Sequence, residues 1–179
     1  MKRSIAIYGG SFNPITCGHV MACHWALMTG SFDKIYVIPA YQHQFKKELI
    51  DFEHRLNMLH LAYGHLQQYI EISPVERTLG NSVTFDTVKY LDDVMRSLGI
   101  VPNFTVLIGS DLIDELPRWS KINDLRAIAN FSVIDRSIYA SGVSSTNVRN
   151  AVKEGNIDYL KSALPQSVLS YIQTHNLYS

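Results

Sequence analysis

Tyr8-Gly9-Gly10-Ser11-Phe12-Asn13-Pro14-Ile15-Thr16-Cys17-Gly18-His19 is the stretch whose reading decides the fold. Ser4-Ile5-Ala6-Ile7-Tyr8, which runs into it, is short, apolar and β-branched, and predicts a buried strand. Val20-Met21-Ala22-Cys23-His24-Trp25-Ala26-Leu27-Met28, which follows it, has helical length and composition. The glycines therefore close a strand, Asn13-Pro14 turns the chain, and Thr16 and His19 share one face where a helix begins. A helix N-terminus offers free N–H groups and the positive end of its dipole to an anion. Gly9 and Gly10 let a ligand approach the backbone, and a hydroxyl and an imidazole add donors beside it. This describes a phosphate cradle; the plainer alternative is an ordinary strand-turn-helix crossing with a core histidine. No Gly-Lys-Ser/Thr triplet follows the glycine turn, and no G-x-G-x-x-G is present, so neither a P-loop nor the dinucleotide fingerprint fits.

The chain of 179 residues suits one domain, 1–179, with a buried core. Its 16 Lys plus Arg balance its 16 Asp plus Glu, so no bulk field draws a nucleic-acid polymer or an anionic membrane, and an anion must be gripped locally. No apolar run approaches the ~20 residues of a membrane span, and Met1-Lys2-Arg3 leads straight into a strand without a secretory signal. Cys17 and Cys23 lie on different sides of the first helix and read as reduced thiols of a cytoplasmic protein. With His19 and His24 they cannot close a tetrahedron from one helix, so no protein-held metal is expected there. Nothing sets an oligomeric state, and a homo-oligomer stays open.

Further strands are expected at 34–39, 69–73, 104–108 and 131–136, alternating with helical segments. That alternation predicts an α/β, Rossmann-like, doubly wound parallel sheet of about five strands, with helices on both faces and a helical C-terminus. The polar segment from Ala40 to Ile50, with Lys46-Lys47, reads as a loop at a strand's carboxyl end, its lysines either closing over phosphates or simply solvated. Phe52 to Ala62 is an amphipathic helix. Gly80-Asn81 turns into a helix from about Phe85 to Leu98, for which Ser82 or Thr84 would serve as N-cap. Asp111, just past a strand in Gly109-Ser110-Asp111, either accepts from ribose hydroxyls or caps a short helix. Trp119 can stack on an aromatic base or fill the core. Ser144, Ser145 and Thr146 precede a helical run in which Arg149 lies one turn in, able to fork onto phosphate oxygens.

Gly10-Ser11-Phe12-Asn13-Pro14 with Thr16-x-Gly18-His19 resembles the G-[ST]-F-D-P … [HT]-x-G-H signature of the nucleotidyltransferase superfamily. Ser144-Ser145-Thr146-Asn147-Val148-Arg149 is similar to its second signature, S-[ST]-T-x-[IV]-R, so that segment 143–179 carries this motif and the C-terminal helices. Gly80 to Thr87, Trp119 and the ending Leu164-Pro165 … Tyr171-Ile172 … Leu177-Tyr178 resemble the nicotinate-nucleotide adenylyltransferase branch. Asn13 stands where Asp is usual, Thr16 where that branch usually has His, Val83 where it has Tyr and Ser120 where many relatives carry Tyr. Thr at the place of Thr16 is common in the pantetheine-phosphate branch. The chain also lacks the insert that relatives carry after the fifth strand, near Arg136.

The resemblance implies adenylyl transfer from ATP, with Mg2+, to nicotinate mononucleotide, giving deamido-NAD and pyrophosphate. His19, Thr16 and Arg149 would carry the chemistry. ATP would be bound by Gly9, Gly10, Ser11, Phe12, Gly18, His19, Lys46, Gly109, Asp111, Ser144, Ser145, Thr146 and Arg149. The pyridine mononucleotide would meet Asn13, Thr84, Trp119 and Ser120. Nicotinamide mononucleotide and phosphopantetheine are the rival acceptors, and an idle nucleotide-binding module is the rival of another class.

Overall fold

Period-two alternation in β1 (Lys2–Gly10) sends Ile5 and Ile7 into one buried layer and Ala6 and Tyr8 into another, which is how one strand comes to be covered on both faces. The same sorting holds in β2 (Lys34–Pro39) and β4 (Val101–Gly109): Ile35, Val37 and Leu107 join Ala6, whereas Ile38, Val106 and Ile108 join Ile5. With β3 (Ile70–Ile72) and β5 (Ala129–Ile134) they form a five-stranded sheet in the order β3-β2-β1-β4-β5, every pair parallel. The computed structural model describes residues 1–42, 49–135 and 142–179. Lys46 and Arg136 lie outside them.

Helices α1 (Cys17–Thr29) and α2 (Phe52–Tyr63) cover one face, together with α6 (Ser145–Glu154), α7 (Ile157–Ala163) and α8 (Gln166–Thr174). The opposite face is covered by α3 (Val75–Leu79), α4 (Thr84–Ser97) and α5 (Ile122–Ile128). The doubly wound expectation therefore holds. The short helices α3 and α5 go beyond the sequence reading. Gly80, at φ +70°, ends α3 and turns its N–H back to Arg77 O and Glu76 O, as a left-handed C-cap does. Neither Ser82 nor Thr84 caps α4, contrary to expectation. Val83 is the cap residue without a side-chain bond, Asn81 Oδ1 accepts from Val83 N–H at 2.9 Å, and Ser82 Oγ accepts from Gln42 N–H at 2.9 Å. The hydroxyl of Ser82 is thus drawn off by the chain leaving β2.

The strand order reverses between β1 and β4, and there the sheet opens. Pairing of β1 with β4 stops at Ile7 and Val106, while β1 stays paired with β2 to Gly10 and β4 with β5 to Gly109. The carboxyl ends of β1 and β4 therefore part into a crevice at the switch point, where open α/β sheets receive ligands.

Candidate active site

Gly9 and Gly10 lie at the lip of this crevice and do different work. A Cβ on Gly10 would stand 3.1 Å from the Phe12 ring, whereas one on Gly9 would meet nothing within 4 Å. Gly10 is bare so that Phe12 can fold over it. Phe12 is 1 % exposed and held at φ +43°, an unfavourable value for a side chain of that size, by edge-on contacts with Tyr8 (5.7 Å) and His19 (5.2 Å). Gly9 instead faces open space. Gly9→Val should raise the KM for the nucleotide expected at this lip about tenfold or more while the melting temperature moves by no more than about 3 °C. Steady-state kinetics beside a thermal melt checks this.

Thr16 is the N-cap of α1 and His19 its third helical residue. The Thr16 backbone N–H donates to His19 Nδ1 at 3.1 Å, and Thr16 Oγ1 lies 2.8 Å from the same nitrogen. A backbone N–H can only donate, so Nδ1 accepts and the ring proton sits on Nε2. Tyr63 Oη further anchors the helix by donating to His19 O at 3.0 Å. Thr16 itself is 1 % exposed and stands behind the imidazole.

The second motif docks directly on the first. Ser144 Oγ caps α6 by accepting from Asn147 N–H, and Ser145 Oγ reaches across to donate to Pro14 O at 2.8 Å. Arg149 Nη1 donates to Asn13 O at 2.8 Å, and Nη2 lies 3.2 Å from Thr146 Oγ1. The guanidinium and the imidazole are thus brought to the two ends of one short loop, from Asn13 to His19. Asn13 is 5 % exposed, and its Oδ1 accepts from Tyr178 Oη at 2.9 Å.

Arg55 was not singled out from the sequence, yet it is the largest fully buried side chain described. Its Nη1 donates to Ser11 O (2.9 Å) and Ala40 O (2.7 Å) and its Nε to Ile50 O (3.2 Å), tying the ends of β1 and β2 together under the glycine turn. Burial works against its charge, while the carboxylates of Asp51 and Glu76 support it. Its place on the apolar stripe of α2, in line with Met58, Leu59 and Ala62, was the signal: a cation on a buried face has a task. Neither Arg55 nor Arg149 is in an ion pair among the described residues.

Along the crevice, Asp111 is exposed in the turn after β4. Thr84 opens α4, and Trp119, half-buried, packs against the core on the same face of the sheet. Lys121 joins these two sides: its Nζ donates to Asp86 Oδ1 at 2.6 Å and lies 5.4 Å from the centre of the Phe85 ring. Ser120 is exposed beside them. Burial raises the carboxyl of Glu76, on α3, to about 7, with hydrogen bonds from Ser82 and Tyr41 N–H and the charge of Arg55 acting the other way. A carboxyl raised on folding binds a proton that the unfolded chain has lost, so stability declines as pH rises from about 4.5 to about 7. Glu76→Gln keeps the acceptor for Tyr41 N–H and removes the charge. It should stabilise the chain at pH 8 by up to roughly 3 kcal/mol and have little effect at pH 4.5, as melts at the two pH values would read.

Among the described residues no three His, Cys, Asp or Glu side chains gather as metal ligands, and no helix is long and apolar enough to cross a membrane. Residues 7–151 match the family model described as cytidylyltransferase-like. A protein of Enterococcus faecalis, described as a probable nicotinate-nucleotide adenylyltransferase, is 32 % identical, with 99 % of this chain and 85 % of that one covered. One of Myxococcus xanthus with the same description is 30 % identical over 97 % of this chain and 94 % of its own. The solved structure of the Plasmodium falciparum nicotinic acid mononucleotide adenylyltransferase complexed with NaAD superposes with a TM-score of 0.77 at 22 % identity, covering 98 % of this chain and 97 % of that one, a likeness of fold.

Proposed function

This chain belongs to the nicotinate-nucleotide adenylyltransferases of the cytidylyltransferase-like family, and from that premise we infer that the crevice between β1 and β4 joins ATP to nicotinate mononucleotide, releasing deamido-NAD and pyrophosphate in a step of NAD biosynthesis. The observation that carries the assignment of residues is the docking of Arg149 and Ser145 onto the carbonyls of Asn13 and Pro14, beside the parting of the two strands.

The nucleophile is a 5′-phosphate oxygen of the acceptor. With a second pKa of about 6 it is already ionised at neutral pH. It attacks the α-phosphorus of ATP, the bond from that phosphorus to the bridging oxygen breaks, and the electron pair leaves with pyrophosphate. No proton has to be removed, so the protein's task is to align two polyanions and to stabilise the charge that moves. His19 donates from Nε2 to the phosphates in exchange, and Thr16 acts through it by fixing the ring. Arg149, Ser144, Ser145 and Thr146 hold the β and γ phosphates, with Lys46 reaching them from its loop. Gly9, Gly10, Ser11, Phe12 and Gly18 shape the floor. Gly109 and Asp111 take the ribose. Asn13, Thr84, Trp119 and Ser120 face the pyridine nucleotide, Trp119 by stacking.

The family's divalent metal enters as Mg2+ on the ATP, where it offsets phosphate charge. Phosphate oxygens and water would serve as its ligands. We take residues 1–179 as one nucleotidyltransferase domain acting in the cytoplasm. Pyrophosphate release with nicotinate mononucleotide, nicotinamide mononucleotide and phosphopantetheine, each with ATP and Mg2+, tests the assignment. The greatest kcat/KM should fall to nicotinate mononucleotide. A preference for either rival moves the acceptor, and release with none of the three replaces the enzyme by a nucleotide-binding module.

A further inference from the structure

The last turn of the chain enters the catalytic loop. After α8, Leu177 N–H returns to Ile172 O at 3.0 Å, and Asn176 and Tyr178 adopt left-handed backbone at φ +50° and +67°. This bend brings the phenol of Tyr178 onto the side chain of Asn13, 165 residues away in sequence, at 2.9 Å. Burial holds that phenol well above its ordinary titration range, so the hydroxyl stays a donor at any physiological pH.

The loop that starts α1 is also gripped through its main chain. Arg55 takes Ser11 O, Arg149 takes Asn13 O and Ser145 takes Pro14 O. Two of these grips belong to residues that would hold the triphosphate, and the Asn13 carbonyl is the seat of the Arg149 guanidinium. The orientation of that peptide is coupled through Cα to the Asn13 side chain, and Tyr178 holds that side chain by its Oδ1. We propose that Tyr178 is a positioning residue for the ATP half of the site: its hydroxyl clamps Asn13 so that the Asn13 carbonyl presents Arg149 to the phosphates. The clamp acts through Arg149 on nucleotide binding, while the acceptor keeps its contacts with Thr84, Trp119 and Ser120. It rests on the reading of the crevice as an ATP site.

Tyr178→Phe deletes one oxygen and leaves the ring packed. Equilibrium binding of a non-hydrolysable ATP analogue should weaken about tenfold, and kcat/KM for ATP should fall alike. The KM for nicotinate mononucleotide should stay within about twofold. Asn13→Ala should reproduce this loss of analogue binding, Asn13→Asp should avoid most of it by keeping an acceptor for the phenol, and Asn13→Ala with Tyr178→Phe should bind the analogue no worse than either alone. Unchanged analogue binding in Tyr178→Phe, additive losses in the double variant, or equal losses for both substrates would overturn the proposal. If Tyr178→Phe does not fold, Asn13→Asp against Asn13→Ala decides the same point. Because the analogue needs no acceptor, a wild-type protein that ignores nicotinate mononucleotide would refute the function while a weakened Tyr178→Phe still upheld the clamp.

Discussion

His19→Ala should lower kcat by on the order of 10²–10⁴, the range for removing a group that donates to charge developing in a transition state. The expectation comes from geometry. Thr16 N–H and Thr16 Oγ1 both hold Nδ1, so the ring arrives with its proton already on Nε2 and its plane fixed by Phe12. Such a donor needs no reorganisation during the reaction, which is where electrostatic stabilisation gains most. If Arg149 and the serines at the start of α6 hold the phosphates as proposed, alanine leaves that grip intact, and the KM for ATP should change far less than kcat. Single-turnover kinetics with folded variant reads the effect. Turnover near that of wild type would remove His19 from the catalytic role.

Arg149→Ala should show a different pattern, a loss in kcat/KM for ATP of on the order of 10²–10³ shared between KM and kcat. A guanidinium that grips the β and γ phosphates is used in the ground state and again as charge passes to pyrophosphate. Its attachment to Asn13 O leaves part of its donor set engaged with protein, which sets its direction. Arg149→Lys keeps the charge but loses the fork, and the carbonyl and the phosphates would compete for one ammonium. It should therefore recover only part of the loss. Equal values for lysine and arginine would mean that charge alone matters there.

Much of this was legible in the residues because the motif lies where two periodicities meet. Ile5-Ala6-Ile7 reads as a strand, Val20 to Met28 as a helix, and the glycines between them can only be a turn, so β1, α1 and the loop that joins them follow from local chemistry. The alternation of strands and helices then implied the parallel sheet. What local pattern could not give was competition between distant partners. Ser82 had the chemistry of a helix cap, yet Gln42 N–H claims its hydroxyl. Arg55 looked like one more cation on an amphipathic helix, and only tertiary packing puts it under Ser11 and Ala40. The contact of Thr16 Oγ1 with His19 Nδ1, by contrast, follows from their three-residue spacing at the start of α1. Asn13 and Tyr178 stand at opposite ends of the chain, and no spacing rule links them. Residues such as Lys46 and Arg136, outside the described segments, stay at the level of the sequence.

The central claim is that one triphosphate lies between the imidazole at the start of α1 and the guanidinium on α6. A crystal structure with a non-hydrolysable ATP analogue and Mg2+ tests it most directly. The phosphate chain should run across the opening between β1 and β4, with its oxygens within hydrogen-bonding reach of both His19 Nε2 and Arg149. A nucleotide seated elsewhere, for example in the apolar hollow of about 350 Å³ among Val152, Leu169 and Leu177, would contradict the account.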